Sequence, residues 1–179
     1  MRLDPKYFNR FIIICGLIGL LAITFFSIRH SFSRISDYEK RLGQADFSGL
    51  KFQSFDRPDS LSVEEFRGKP VLVHFWSTWS GLSQDVGAFL ELNRDQYPDL
   101  VVIAAAVRDD STLISTYIDE QNFSFHHVEG TEFYQSLLVP GMPSQILLDQ
   151  AGALARYQVG GDTLALRNML NDFFTGRDE

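Results

Sequence analysis

Few residues in this chain could carry chemistry. Ser80 and Ser83, separated by Gly81 and Leu82, follow Trp79 and an apolar run. A serine nucleophile needs a histidine within hydrogen-bond reach and donors for a developing oxyanion. His126 and His127 lie on a distant segment and no Gly-x-Ser-x-Gly elbow is present, so a serine-dependent enzyme is the remote alternative. His126-His127 alone reads as a surface strand rather than a metal site, and no metal or cofactor is expected. His74, inside an apolar run, reads as a satisfied core residue. Cys15 is the single cysteine, so no intramolecular disulfide can form.

The charge is split along the chain. Residues 1–45 carry a net +4 and residues 46–179 a net −11, within a total of −7. A domain this acidic is a poor partner for nucleic acid, whose phosphates demand a basic face. Residues 11–28 form eighteen consecutive uncharged positions between Arg10 and Arg29. At ~1.5 Å per residue they reach about 27 Å, close to the hydrocarbon thickness of a bilayer. Phe25, Phe26 and Ile28 crowd the region where a signal peptide would be cut, and Ser31-Phe32-Ser33 is a weak small-x-small site. The expected organisation is a cytoplasmic N-terminus at 1–10, a single-pass anchor at 11–28, a polar stalk or tether at 29–45 and one domain at 46–179. The Lys/Arg balance gives a faint preference for the N-terminus inside.

The elements that must position Ser80 and Ser83 alternate in type. Residues 50–55 read as a short strand and 59–66 as a turn with one helical turn. Val71–Trp76 has the continuous apolar character of a central strand. A helix is expected at 83–97, stopped by Pro98, then a strand at 100–107 and a helix at 111–121 capped by Ser111. A short strand at 125–128 and a short helix at 131–138 follow. Residues 145–149 and 153–159 flank Gln150-Ala151-Gly152 as a hairpin would, and an amphipathic helix at 164–174 closes the chain. This order predicts an α/β domain, a mixed sheet with helices on both faces.

Two segments resemble a known family. Gly68-Lys69-Pro70-Val71-Leu72-Val73-His74-Phe75-Trp76-Ser77-Thr78-Trp79-Ser80-Gly81-Leu82-Ser83 resembles the strand, turn and helix start of thioredoxin-like proteins. Val139-Pro140-Gly141-Met142-Pro143-Ser144-Gln145-Ile146-Leu147-Leu148-Asp149 is similar to the stretch that carries their cis proline. The spacing of the two, the terminal hairpin and the N-terminal apolar run match the TlpA/ResA/DsbE-like membrane-tethered thiol–disulfide oxidoreductases over about residues 46–175.

The resemblance implies a thioredoxin-like fold, and thiol–disulfide exchange through a Cys-x-x-Cys pair at a helix N-terminus. Both cysteine positions are serine here, Ser80 and Ser83. A hydroxyl is negligibly ionised near neutral pH, and oxygen cannot form the mixed disulfide. Leu82 stands where thioredoxins commonly carry proline, and His74 where thioredoxin itself has a buried aspartate. The expectation is a redox-inactive module in the inner membrane, its domain on the periplasmic side, that binds a protein partner or a membrane-complex subunit. The contact residues implied are Trp79, Gly81, Leu82, Met142 and Pro143. The resemblance also implies a cis Met142–Pro143 bond beside the Ser80–Ser83 turn, with Trp76 as the core tryptophan. A family oxidoreductase whose cysteines were replaced is the alternative.

Overall fold

The computed structural model describes residues 5–176, with side chains described for all of them except 5–7, 9, 10, 28 and 30–32. Residues 1–4 of the expected cytoplasmic segment and 177–179 of the expected domain lie outside the described residues.

Five strands build the central sheet in the order β5-β4-β3-β6-β7. Their ranges are β3 Val71–Trp76, β4 Val101–Ala106, β5 His126–Glu129, β6 Ser144–Leu148 and β7 Leu154–Val159. β3, β4 and β5 run parallel, while β6 and β7 are antiparallel to their neighbours. All six residues of β3 are buried, as a central strand covered on both faces requires. Alternation divides them between two cores. Val71, Val73 and Phe75 pack with Ile103, Val128 and Ile146 on one face. On the other, Leu72 packs with Val86, Leu90, Leu166 and Leu170, and Trp76 with Ile114. The second face is covered by helices α2 (Gly81–Leu92), α3 (Ser111–Gln121) and α5 (Thr163–Thr175). A two-stranded ribbon, β1 (Lys51–Gln53) with β2 (Ser60–Ser62), helix α4 (Thr131–Ser136) and the end of helix α1 (Pro5–Leu42) cover the first.

Helix α1 differs from expectation over its last turns. The stretch read as a tether continues as helix to Leu42 and lies against the domain. Tyr38 and Leu42, one turn apart, are both buried. The Tyr38 ring meets Tyr157 edge-on at 5.4 Å, and the Tyr157 hydroxyl donates to Glu39 Oε1 at 2.5 Å. Arg41 Nη1 donates to the Ser136 carbonyl at 2.8 Å. The apolar residues upstream are bare: Phe11, Leu17, Leu21 and Phe26 are all exposed on this helix. No helix among the described residues is long and apolar enough to cross a membrane, by the criterion of an eighteen-residue apolar window. Of the expected span 11–28, the side chain of Ile28 lies outside the described residues.

Three boundaries were misjudged for local reasons. The helix expected to reach residue 97 stops at Leu92, because the Asn93 amide turns back onto the Phe89 carbonyl at 2.7 Å. Residues 94–96 then form a single 3-10 turn. Asp110, not Ser111, caps α3, its Oδ1 accepting from the backbone N–H groups of Thr112 and Leu113. Part of the segment read as a helical turn at 59–66 is β2, with a 3-10 turn only at Val63–Phe66.

Candidate functional site

The site lies where β3 ends and α2 begins. Ser80 is the N-cap of α2, with extended backbone, and its Oγ accepts from the Ser83 N–H at 3.3 Å. Its carbonyl accepts from Gln84 N at 3.2 Å, and the Gln84 side-chain amide donates to the Thr78 carbonyl at 2.8 Å. Asp109, in the loop after β4, ties the turn from the other side, accepting from Thr78 N at 2.5 Å. The capping hydroxyl thus satisfies one of the orphan donors at the helix start.

The two serines have different surroundings. Ser80 is half-buried at the mouth of the turn, whereas Ser83 is 1% exposed beneath it. Below Ser83 lies a buried polar cluster. His74 on β3 is paired in register with Gln145 on β6, and His74 Nδ1 stands 3.4 Å from Gln145 Nε2. His74 Nε2, Ser83 Oγ and Gln145 Oε1 have no hydrogen-bond partner among the described residues. Burial pushes the His74 imidazole down to about 4, against a smaller pull from the Ser83 backbone, so the ring is neutral near pH 7. His74 is therefore buried, as a core residue should be, but its polar atoms are only partly satisfied.

Across the mouth, the Met142–Pro143 bond is cis. β6 starts at Ser144, and Ser144 pairs with Phe75 near the end of β3, so Pro143 stands at the same end of the sheet as the Ser80–Ser83 turn. The loop is held from three sides. Ser144 Oγ donates to the Gly141 carbonyl at 2.6 Å, Gly160 N to the Pro143 carbonyl at 2.8 Å, and Arg34 Nη2 to the Pro140 carbonyl at 2.8 Å. The loop between β7 and α5 closes the rim. A Cβ at Gly161 would meet Leu82 Cβ at 3.0 Å, so glycine there permits the close approach.

Trp79 is 68% exposed and Leu82 57%, while Trp76 is 3% exposed and packs on Tyr117. Gly81 is also exposed between them, and Pro143 is buried. Met142 is half-buried and packs on the core cluster of the first face, so its side chain offers the rim only part of its surface.

The histidine pair is not the surface feature its sequence suggested. His127 is buried, its backbone N–H donating to Asp56 Oδ2 at 2.6 Å and its ring Nδ1 lying 3.3 Å from Asp56 Oδ1. His126 stacks on Phe66 with centroids 4.9 Å apart. Neither is at Ser80. Among the described residues no group of three or more His, Cys, Asp or Glu could hold a metal ion. Sequence reasoning missed Asp109 and Arg34. The Asp109-Asp110 pair before a helix, and Tyr38 and Leu42 four residues apart beyond the apolar run, were the available signals.

No family model matches the chain. Two curated relatives do. The thiol–disulfide oxidoreductase ResA of Oceanobacillus iheyensis is 26% identical over 179 residues, spanning 94% of this chain and 92% of its own. The ResA of Halalkalibacterium halodurans is 20% identical over 151 residues, covering 82% and 86%. The thioredoxin domain of a thiol–disulfide oxidoreductase from Bacteroides vulgatus superposes with a TM-score of 0.61 at 19% identity, over 72% of this chain and 95% of that one. The fold is thioredoxin-like, and over most of its length the chain is similar to thiol–disulfide oxidoreductases of that fold. Within the thioredoxin-like frame, the turn, the N-capped helix and the cis-proline loop stand around Ser80 and Ser83.

Proposed function

We propose that this thioredoxin-like protein is a redox-inactive binding module, held at the membrane by residues 11–28, with its domain on the extracytoplasmic side. The observation that carries the reading is chemical. The turn that in relatives would carry a dithiol is braced by Asp109, Gln84 and the Ser80 cap, yet presents only hydroxyls. No thiol lies elsewhere in the domain, since Cys15 is the sole cysteine. Trp79 and Leu82 stand bare beside this turn, an apolar pair of the kind that anchors a partner chain, with Gly81 and the backbone near Met142 and Pro143 alongside. The partner class is a polypeptide, either a soluble client or a subunit of a membrane complex.

The relatives' names support the other reading, an oxidoreductase of the same group, but exchange would need sulfur at positions 80 and 83. A serine-dependent reaction finds less support. His74 lies beneath Ser83, both are closed to solvent, and no histidine is bonded to Ser80. Support for the anchor comes from the apolar residues of α1, exposed through at least four turns with no protein surface over them. Insulin reduction tests the redox claim: the purified full chain should match a buffer blank, and measurable turnover would overturn the reading.

A further inference from the structure

The strongest unassigned feature is an open cavity of about 450 Å³ between the end of α1 and the domain, within the size range of small-molecule sites. Its lining includes Arg34 and Asp37 from α1, Arg108 after β4, Tyr134 and Gln135 from α4, and Leu138. Two guanidiniums, a phenol and an amide converge there with one carboxylate. Arg34 uses one nitrogen on the Pro140 carbonyl. The Arg108 side chain makes no ion pair or hydrogen bond with any described residue, although its backbone N–H donates to Thr131 Oγ1 at 2.8 Å. Arg108 and Leu138 both hold left-handed backbone, φ 50° and 55°, which is uncommon for non-glycine residues and clusters at ligand-binding sites. Both guanidiniums act on the Tyr134 hydroxyl: burial raises its pKa, and Arg108 and Arg34 pull it back.

Position adds a second constraint, which rests on the anchor reading above. α1 is one continuous helix, so Arg34 lies six residues beyond residue 28, about 9 Å along the axis. A headgroup layer extends about 5–8 Å beyond the hydrocarbon, within reach of an arginine side chain. Asp37 lies one turn further out, about 13.5 Å beyond residue 28, with its side chain tilted back towards the span as helix geometry dictates, so that a headgroup extended from the layer meets it.

We propose that this cavity binds the headgroup of an amine-bearing phospholipid of the phosphoethanolamine type. The phosphate sits against Arg34, Arg108 and the Tyr134 hydroxyl, and the ammonium beyond it sits against Asp37. The order of charges outward from the span, cation then anion, is the complement of that headgroup. A purely anionic headgroup would meet Asp37 without compensation, and a quaternary amine would bring no N–H donor to it.

Native mass spectrometry of the delipidated full chain in detergent, back-titrated with phosphatidylethanolamine, phosphatidylglycerol, phosphatidylcholine or inorganic phosphate, tests the site. Phosphatidylethanolamine should bind with one-to-one saturation and more tightly than the others. Arg108→Ala should weaken it roughly tenfold or more, the loss expected for a charge-assisted hydrogen bond. Arg108→Lys should recover part of this, and Asp37→Asn should erase the preference over phosphatidylglycerol. Equal binding of all three lipids, binding unchanged by Arg108→Ala, or saturation by inorganic phosphate as tight as by the lipid would each overturn the proposal. Carbonate extraction of membranes containing the wild-type chain separates the two readings. Release into the supernatant sinks the anchor and the headgroup site together, whereas retention with unselective lipid binding sinks the headgroup site alone.

Discussion

Replacing His74 with glutamine should change how stability depends on pH. His74 is fully buried and its pKa is lowered from 6.5 to about 4. A group whose folded pKa is depressed is protonated in the unfolded chain first. The native state therefore loses stability as pH falls from about 6.5 towards 4, and the loss is complete only below the folded value. Taking those two values, the His74 contribution between pH 7.5 and pH 5 is a loss of about 2 kcal/mol. Glutamine at position 74 keeps a polar partner for Gln145 but has no proton to take up. Urea unfolding of wild type and His74→Gln at pH 7.5, 6 and 5, in the same detergent, reads the difference directly. His127, whose burial also lowers its pKa, and the carboxylates titrate in both proteins and cancel. The wild type should lose about 2 kcal/mol more than the variant over this range. Parallel pH profiles would show that His74 is solvated or charged in the native state, and would refute the buried cluster.

Three further outcomes follow from the same contacts. Asp109→Ala removes the carboxylate that accepts from Thr78 N, and should cost about 1–3 kcal/mol by urea unfolding while shifting amide signals mainly across residues 77–84. Ser80→Cys with Ser83→Cys should create an air-oxidisable pair, read as loss of two free thiols by thiol titration, because the turn and the helix cap already have the backbone such a pair uses. Carbonate extraction should leave the full chain in the pellet and release a variant lacking residues 1–30.

The sheet was legible because its strands are local and apolar. Val71–Trp76 reads as a buried strand in either context, and the two motif segments fall at the ends of β3 and β6 that the sheet brings together. The docking of α1 was not legible. Tyr38 and Leu42 are two of a few scattered apolar residues in a polar stretch that also holds Phe32 and Ile35, and what buries them, Tyr157 and the α4 region, lies about a hundred residues away. The same holds for His127. Its partner, Asp56, is far off in sequence, so a histidine pair that reads as surface turns inward to meet a distant carboxylate. At the site, Ser80 and Ser83 were readable from spacing, but the division into one half-buried and one buried hydroxyl depends on how β6 and α5 pack against α2. The half-burial of Met142 was not legible for the same reason: its neighbour Pro143 fixes where the loop runs, and part of the side chain packs on the core.

The measurement closest to the central claim is photo-crosslinking from the rim of the turn in membranes. A photoreactive residue is placed at position 79 and, as control, at Leu92, which is still more exposed and lies at the far end of α2. Non-covalent partner binding at the turn predicts a discrete crosslinked polypeptide from position 79 and none from position 92. Trp79→Ala should weaken co-purification of that polypeptide by about 1–3 kcal/mol without altering unfolding, and insulin turnover should stay at the blank. Equal labelling from both positions, or co-purification unaffected by Trp79→Ala and Met142→Ala but abolished by deleting residues 1–30, would contradict the account.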